Sequence, residues 1–359
     1  MVVNSGPANN YANGLFTKVK VCVPSSSNCQ TIDGILVDTG SYGLRLLSST
    51  GGGSLTLSLP PENAGNGNPL AECAGFVSGF TWGPIKIADV FLAGETANNL
   101  PVQIIDSSFI GVPQPCKNSG VPENDTLQTL GANGILGIGP FGQDCGTACQ
   151  ASGASNPGWY YACSANACEM TPVPLANQLQ NPITLFAQDN NGVIVELPEV
   201  SAASPTLSGS LIFGIGTQSN NKLGASSIFT INSKGEFSTS FKSQSYPAFI
   251  DSGSNGYFFL DDATTGLMAC SDNNGFYCPP STLSLYATTK SGSTNDIVKF
   301  SISNADTLFS RGANFVFNSL GGPNPGSFDW GLPFFFGRNV YTAIEAHSTP
   351  AGVGPYWAY

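Results

Sequence analysis

Short apolar runs separated by polar turn residues fill most of the chain. Runs of Val, Ile, Leu, Phe and Thr alternate with clusters of Gly, Asn and Ser, which is typical of short β-strands joined by turns. The 359 residues are enough for two lobes of ordinary domain size, each with a buried core. We therefore predict an all-β protein, mainly strands with a few short helices.

An internal repeat divides this pattern into two halves. Residues 35–43 read ILVDTGSYG and residues 248–256 read AFIDSGSNG, so each copy is an apolar strand that ends in Asp-Thr/Ser-Gly-Ser. Two apolar residues and a glycine come later in each half, at 135–137 and at 335–337. One such triplet is an ordinary turn after a strand. Two copies with similar flanks, in the same order, predict that both halves build the same structure.

The repeat places one aspartate in each half, Asp38 and Asp251. Two facing carboxylates that share a proton can hydrolyse a peptide bond without a metal or cofactor, because one takes a proton from water while the other protonates the carbonyl oxygen. We predict that these two form a catalytic pair. Glycines beside them let the backbone approach, and hydroxyls can hydrogen-bond across the pair or orient the carboxylates. The predicted supporting residues are Thr39, Gly40, Ser41, Ser252, Gly253 and Ser254.

These motifs resemble those of the pepsin-like aspartic proteases over nearly the whole chain. Residues 134–138 (GILGI) and 209–216 (GSLIFGIG) are similar to further segments of that family. The resemblance implies a bilobal fold with a pseudo-twofold axis and a central cleft. Its lobes would span residues 15–195 and 196–359, after an N-terminal segment 1–14. It also implies an endopeptidase with an acidic pH optimum that binds an extended polypeptide with apolar residues.

The chain departs from this family in three places. Residues 143–170 form an insertion with four cysteines, Arg45 stands where the family has tryptophan, and Phe76 stands where the flap has tyrosine. The family's hydrogen bond between these two side chains is therefore missing or rebuilt, with Trp82 or Phe80 filling part of the space. We predict a β-hairpin flap at residues 74–84, with Phe76 pointing into the cleft. The predicted flap and substrate-binding residues are Phe76, Val77, Ser78, Gly79, Phe80 and Trp82.

Charge narrows the choice of partners. Lys and Arg number 12 against 23 Asp and Glu, giving a net charge of -11. A protein with so few basic residues is not expected to bind nucleic acid. Its many unpaired acids suit work at low pH, where their mutual repulsion is neutralised. No apolar run approaches the length of a membrane span.

The ten cysteines indicate disulfides in an oxidising compartment. Two short spacings predict the pairs Cys22–Cys29 and Cys270–Cys278, and Cys73–Cys116 is expected because it would leave the insertion closed on itself. The other pairings stay open. A zinc site is disfavoured, since the only histidine is His347. We expect a secreted or periplasmic monomer, a bacterial homologue whose signal peptide has been removed.

Two alternatives remain at the level of sequence. A pepsin-fold binding or inhibitor protein would keep the cleft and lose hydrolysis, and the departures at Arg45 and Phe76 favour it. His347 is a possible general base, but its neighbours Ser348, Thr349 and Pro350 predict a surface turn.

Overall fold

The computed structural model describes residues 1–117, 120–224, 227–272, 275–310 and 312–359. Within them the chain folds mainly into short strands, as the alternation of apolar and polar runs predicts. Numbered along the chain, the strands are β1 Val2–Asn4, β2 Gly14–Cys22, β3 Cys29–Asp38, β4 Tyr42–Leu47, β5 Leu70–Phe76, β6 Gly79–Leu92, β7 Glu95–Ile105, β8 Gly134–Ile138, β9 Tyr160–Cys163, β10 Cys168–Met170, β11 Gly192–Leu197, β12 Leu207–Ser208, β13 Ser210–Phe213, β14 Ile228–Thr230, β15 Phe237–Phe241, β16 Gln244–Ile250, β17 Tyr257–Leu260, β18 Leu283–Ser291, β19 Thr294–Ile302, β20 Gly321–Gly322, β21 Asn324–Trp330, β22 Arg338–Ala343, β23 Ser348–Thr349, β24 Gly352–Val353 and β25 Tyr356–Ala358.

Helices in the described residues are few and short. The α-helices are α1 Gln114–Lys117, α2 Leu127–Leu130, α3 Asp262–Thr265 and α4 Ala305–Phe309. Single turns of 3-10 helix are Ser49–Gly51, Gly146–Gln150, Gly153–Ser155, Leu175–Asn177, Pro182–Leu185 and Leu332–Phe335. None of the described helices has the length and apolar character needed to cross a membrane.

Two large sheets each carry one copy of the aspartate repeat. The first has the strand order β10-β9-β5-β6-β7-β4-β8-β3-β2-β1-β12, and β6 also pairs with β2, so part of the sheet closes on itself. The second has the order β19-β18-β15-β16-β21-β17-β20. A third sheet, β13-β11-β22-β25-β14, joins strands from the middle and the end of the chain, and β23 pairs with β24. The predicted all-β, bilobal fold is confirmed; residue 195, the predicted end of the first lobe, lies inside β11.

The strand before Asp38 is buried on both faces. Residues 35–38 of β3 are all buried, and Gly34 before them is half-buried. Within the sheet β3 lies between β2 and β8. A strand covered on both faces is expected to be continuously apolar. β15 shows the contrasting pattern, in which Phe237, Thr239 and Phe241 are buried and the serines between them are half-buried.

The two halves share one arrangement of strands behind each aspartate. β3 runs parallel to β8, which places Asp38 beside Gly137, and β4 pairs with the other side of β8. β16 likewise runs parallel to β21, placing Ile250 beside Trp330, and β17 pairs with the other side of β21. The counterpart of residues 135–137 is therefore the segment 329–331.

This register corrects one sequence assignment. Residues 335–337 were expected to be the counterpart of 135–137, but Phe335 ends a 3-10 helix and Phe336 bridges to Leu197. The true counterpart reads Asp-Trp-Gly. An acid at its first position breaks the apolar pattern that the repeat predicts.

All ten cysteines form disulfides. The pairs Cys22–Cys29, Cys270–Cys278 and Cys73–Cys116 confirm the predictions, and the last of these joins β5 to α1. The pairs that the sequence left open are Cys145–Cys149 and Cys163–Cys168. The insertion is thus closed by its own two bridges.

The cysteine-rich insertion extends the flap. Its strand β9 pairs with β5 in antiparallel register, with Leu70 opposite Ala162 and Glu72 opposite Tyr160, and β10 pairs with β9. The flap hairpin of β5 and β6 is therefore the middle of a wider sheet, braced on one side by the insertion.

Candidate active site

Asp38 and Asp251 follow equivalent strands and face each other across the cleft. The amide of Gly40 donates a hydrogen bond to Asp38 Oδ1 at 2.8 Å, and the amide of Gly253 donates to Asp251 Oδ1 at 2.8 Å. A Cβ atom on Gly40 would lie 2.7 Å from Cγ of Asp251, and one on Gly253 would lie 2.7 Å from Oδ1 of Asp38. Only glycine at both positions allows the two loops to come this close.

Serine hydroxyls hold the other oxygen of each carboxylate. The hydroxyl of Ser41 donates to Asp38 Oδ2, and that of Ser254 donates to Asp251 Oδ2 at 2.8 Å. Each carboxylate thus accepts the same two bonds, one from an amide and one from a hydroxyl. This similarity follows from the repeat of Asp-x-Gly-Ser.

Thr39 and Ser252 lock the two loops together. The amide of each donates to the hydroxyl of the other, at 3.1 Å from Thr39 and 3.0 Å from Ser252. The hydroxyls then donate across the axis to backbone carbonyls, Thr39 to Ile250 at 3.2 Å and Ser252 to Val37 at 2.8 Å. Both side chains are fully buried, so these four bonds are shielded from water.

The Asp251 carboxyl perturbs the carboxyl of Asp38. Burial raises the pKa of Asp38 well above its usual value, and the Asp251 carboxyl raises it further through its charge and a hydrogen bond. The bonds from Ser41 and Gly40 act in the opposite direction and lower this pKa. A neighbouring acid that resists ionisation is the condition for a pair that holds one shared proton.

A cavity of about 840 Å³ opens in front of the pair. Its polar wall includes the pair and two further acids, Asp144 and Asp329. Apolar side chains on its walls include Leu36, Phe76, Leu130, Ile135, Phe249 and Phe258. An apolar cleft with a few convergent polar groups is typical of a ligand-binding site.

The flap is a hairpin with Val77 and Ser78 at its turn. β5 and β6 pair from Ala71 opposite Pro84 to Phe76 opposite Gly79, and the Val77 side chain is 97% exposed at the tip. Phe76, Val77 and Ser78 line the cavity.

Phe80 and Trp82 lie on the other side of the hairpin. Both are buried in a cluster with Tyr161 and the disulfide-bonded Cys116, and the Trp82 indole donates to the carbonyl of Ile110 at 2.9 Å. Neither side chain lines the cavity, so we expect no substrate contact from them. They brace the flap from behind.

A neighbouring segment holds the flap by its backbone. The amide of Phe80 donates to the carbonyl of Pro122 at 2.9 Å, and the amide of Asn124 donates to the carbonyl of Phe80 at 2.7 Å. Asn124 is buried beneath the hairpin, where its side chain meets Ser78 and Gly79.

Arg45 and Phe76, the two positions where a hydrogen bond was predicted to be missing or rebuilt, meet in a contact between a cation and an aromatic ring. The Arg45 guanidinium is 2% exposed and lies over the Phe76 ring, 5.5 Å from the ring centroid. The same group pairs with Glu72 at 2.7 Å and with Asp144 at 3.1 Å. Glu72 belongs to β5, so a buried ion pair connects the flap to the floor of the cleft.

The insertion completes this network. Tyr160 of β9 donates to Asp144 Oδ1 at 2.7 Å and accepts from the amide of Leu179 at 2.8 Å. Burial raises the pKa of Asp144 well above its usual value, and Glu72 raises it further, against the lowering effect of Arg45. Two buried acids thus surround one buried guanidinium.

Asp329 is a site residue that sequence reasoning missed. It lies on β21, lines the cavity and is 6% exposed. Burial raises its pKa well above the usual value, and the charges of Asp251 and Asp38 raise it further, whereas a hydrogen bond with Ser254 lowers it. The correct register of the repeat would have found it, because it takes the place of Ile135.

Two other candidates lie outside this site. His347 bonds the carbonyl of Glu345 through Nδ1 at 2.8 Å and does not line the cavity. In the described part of the chain, side chains close enough to share a metal ion are Cys270, Cys278 and Asp306, and both cysteines are engaged in a disulfide.

Comparisons with known proteins agree with the fold. A family model described as "Protein of unknown function (DUF3443)" matches residues 1–359. No curated protein matches the sequence. The structure is similar to the crystal structure of an aspartic proteinase from Irpex lacteus, with 18% sequence identity, a TM-score of 0.56, and coverage of 100% of this chain and 96% of that chain. At this identity the likeness establishes a pepsin-like fold.

Proposed function

The chain belongs to the DUF3443 family of proteins of unknown function, and we propose that it is an aspartic endopeptidase. The observation that carries this proposal is the pair Asp38 and Asp251, held by equivalent bonds at the centre of a large cleft. The pepsin-like fold supports it, because such a fold gives an extended chain access to both carboxylates.

The geometry suits hydrolysis by an activated water. The raised pKa of Asp38 favours a singly protonated pair in acid, since two carboxyls this close do not both ionise easily. The ionised member of the pair takes a proton from a water bound between them, while the protonated member donates to the oxygen of the scissile carbonyl. The water oxygen bonds to the carbonyl carbon as these protons move. The carboxyl that took the water proton then gives it to the nitrogen as the carbon–nitrogen bond breaks, and the other carboxylate takes back a proton from a hydroxyl of the intermediate, which restores the pair. Gly40, Gly253 and the two serines hold the carboxylates in position throughout.

The proposed substrate is an extended polypeptide with apolar residues near the scissile bond. Leu36, Phe76 and Ile135 line one part of the cavity, and Phe249 and Phe258 line another. The flap tip can pair with the substrate backbone. Phe76 would then shield the reacting bond from water.

The molecular context proposed for this activity is a secreted or periplasmic monomer. Five disulfides suit an oxidising compartment. Both aspartates come from one chain, so hydrolysis does not require a second copy. The proposed lobes are residues 15–195 and 196–359. The net charge of -11 argues against nucleic acid as a partner.

A pepsin-fold binding protein is the second candidate. The buried Arg45 network favours this candidate. Arg45 holds the flap through Phe76 and Glu72, whereas the pepsin-like proteases use a hydrogen bond between tyrosine and tryptophan. Such a protein would bind an extended peptide and leave it intact.

Digestion of casein across about pH 3 to 7, with and without pepstatin, separates the two candidates. We expect cleavage that is fastest in acid and is blocked by this transition-state mimic. Pepstatin binding without any digestion would favour the binding protein instead.

A further inference from the structure

A buried aspartate, Asp329, faces the cleft beside Asp251 and has no part in the proposed hydrolysis. It lies on β21, opposite Phe249 of β16 and Phe258 of β17. At the equivalent position in the other half the chain has Ile135, on β8. An acid therefore replaces an apolar side chain on one side of the cleft only.

The side chain of Asp329 is incompletely satisfied. It is 6% exposed and lines the cavity, and its Oδ1 makes no hydrogen bond within the described part of the chain. Its hydrogen-bonding neighbour is Ser254, and its charged neighbours, Asp251 and Asp38, are acids. A buried polar atom without a partner costs stability and calls for an explanation. A partner supplied by a ligand is such an explanation.

No free cation lies beside this acid among the described residues that line the cavity. Among the described residues that line the cavity, Arg45 carries the one positive charge, and Glu72 and Asp144 bind it at 2.7 and 3.1 Å. The part of the cleft next to Asp329 therefore contains acids without a counter-charge. A cationic ligand group would be complementary to it.

We propose that Asp329 forms a subsite on the Asp251 side of the cleft that binds a cationic side chain of the polypeptide substrate, lysine or arginine. This inference rests on the proposed function and adds a specificity to it. The ammonium or guanidinium group donates to the Asp329 carboxylate where this residue lines the cavity, and such charge-assisted bonds are strong where water is excluded. Phe249 and Phe258 pack along the aliphatic stem of the cationic side chain.

Binding of the cation changes the protonation of the subsite. Burial and the neighbouring acids raise the pKa of Asp329, so the carboxyl of the empty subsite is neutral in acid. A positive charge beside Oδ1 favours the carboxylate, and the proton is released to solvent as the cation binds. The negative charge of the catalytic pair adds to the attraction.

Matched peptides test the subsite. Each peptide has an apolar scissile pair, and one position at a time carries lysine, glutamine or norleucine, which have side chains of similar length. At one position we expect the wild type to cleave the lysine peptide with a kcat/KM about ten- to a hundredfold above that of the norleucine peptide, the range expected for one charge-assisted bond. Asp329→Asn keeps the shape without the charge, and Asp329→Ile copies Ile135. In both variants this ratio should fall to about one or below.

The ratio compares two substrates on one preparation, so a loss of folded enzyme cancels. An equal ratio in the wild type and both variants would overturn the subsite. So would a glutamine peptide cleaved as well as the lysine peptide by the wild type, because polarity without charge would then be sufficient.

Binding of uncleavable peptides separates this inference from the proposed hydrolysis. The same lysine and norleucine peptides, with statine at the scissile position, are titrated by calorimetry against the wild type and both variants. A preference for lysine that depends on Asp329, without cleavage of any peptide, supports the subsite and contradicts the hydrolysis. Cleavage without that preference contradicts the subsite alone.

Discussion

The surroundings of the two aspartates match at the carboxylates and differ one residue further away. On both sides an amide donates to Oδ1 at 2.8 Å and a serine hydroxyl bonds Oδ2. Behind them, Arg45 pairs with Ile135 in the first half, and Phe258 pairs with Asp329 in the second. Each half has one ionisable residue in this cross-strand pair. In the first half it is the basic Arg45 on β4, and in the second half it is the acidic Asp329 on β21, the counterpart of β8.

This difference separates what the repeat has to keep from what it can vary. Two carboxylates that share one proton need equivalent supports, and the Asp-x-Gly-Ser loops supply them. The flanking charges have separate tasks. Arg45 is neutralised by Glu72 and Asp144 and fastens the flap to the insertion, whereas Asp329 has no free cation beside it among the described residues that line the cavity. The first charge is structural, and the second faces the ligand.

Removal of the buried cation should cause the largest loss of stability. Arg45→Met leaves Glu72 and Asp144 buried together without a guanidinium, and breaking a buried pair in this way costs about 3–5 kcal/mol. Urea unfolding should show this loss in the free energy of unfolding. The matched variant Phe258→Met, at the equivalent position of the second half, exchanges one apolar side chain for another and should cost less than about 1.5 kcal/mol. Equal losses in the two variants would show that the Arg45 network is not a source of stability.

Stability should decrease as the pH rises from about 4 to 7. Burial raises the pKa values of Asp38, Asp144 and Asp329 well above the ordinary 3.8. The folded chain therefore binds more protons than the unfolded chain in this range. Their stabilisation is complete below the ordinary pKa and is lost as the pH rises through the folded-state values, by up to about 1.4 kcal/mol per pH unit for each group.

Melting temperatures across this range check the prediction. We expect a decrease with rising pH that is less steep in Asp329→Ile, since one of the three acids is gone. A melting temperature that rises steadily towards neutral pH would contradict these pKa directions.

The flap should depend on the ring of Phe76 more than on a hydroxyl there. Phe76→Ala removes the ring that lines the cavity and packs under Arg45, and kcat/KM on an apolar peptide should fall about tenfold, or about 1.4 kcal/mol of transition-state stabilisation. Phe76→Tyr keeps the ring and should stay near the wild type. If Phe76→Ala leaves kcat/KM unchanged while Trp82→Ala lowers it strongly, the contact between flap and substrate has been assigned to the wrong face of the hairpin.

Local repeats made much of this molecule predictable from sequence. The apolar strands before Asp38 and Asp251, the hairpin tip at Val77 and the short disulfide loop Cys22–Cys29 are all encoded by residues close together in the chain. The pattern of turns and apolar runs likewise predicts an all-β fold. These features need no knowledge of distant contacts.

The missed features depend on contacts between distant residues. Arg45 pairs with Glu72, which lies 27 positions away in the sequence, and with Asp144, which lies 99 positions away. An arginine within the apolar run YGLRLL was a usable signal, because a buried cation requires buried acids. Asp329 was passed over because an apolar triplet at 335–337 matched the repeat better than the acid that the strand register selects.

The kcat/KM values of three matched variants on one apolar peptide at acidic pH test the catalytic pair most directly. Asp38→Asn and Asp251→Asn keep the side-chain shape but cannot share a proton, and each should lower kcat/KM by at least about a thousandfold. Asp33→Asn, an exposed position on the same strand as Asp38, should keep wild-type activity. An Asp38→Asn or Asp251→Asn enzyme within about tenfold of the wild type would contradict the assignment of the two aspartates as the catalytic pair.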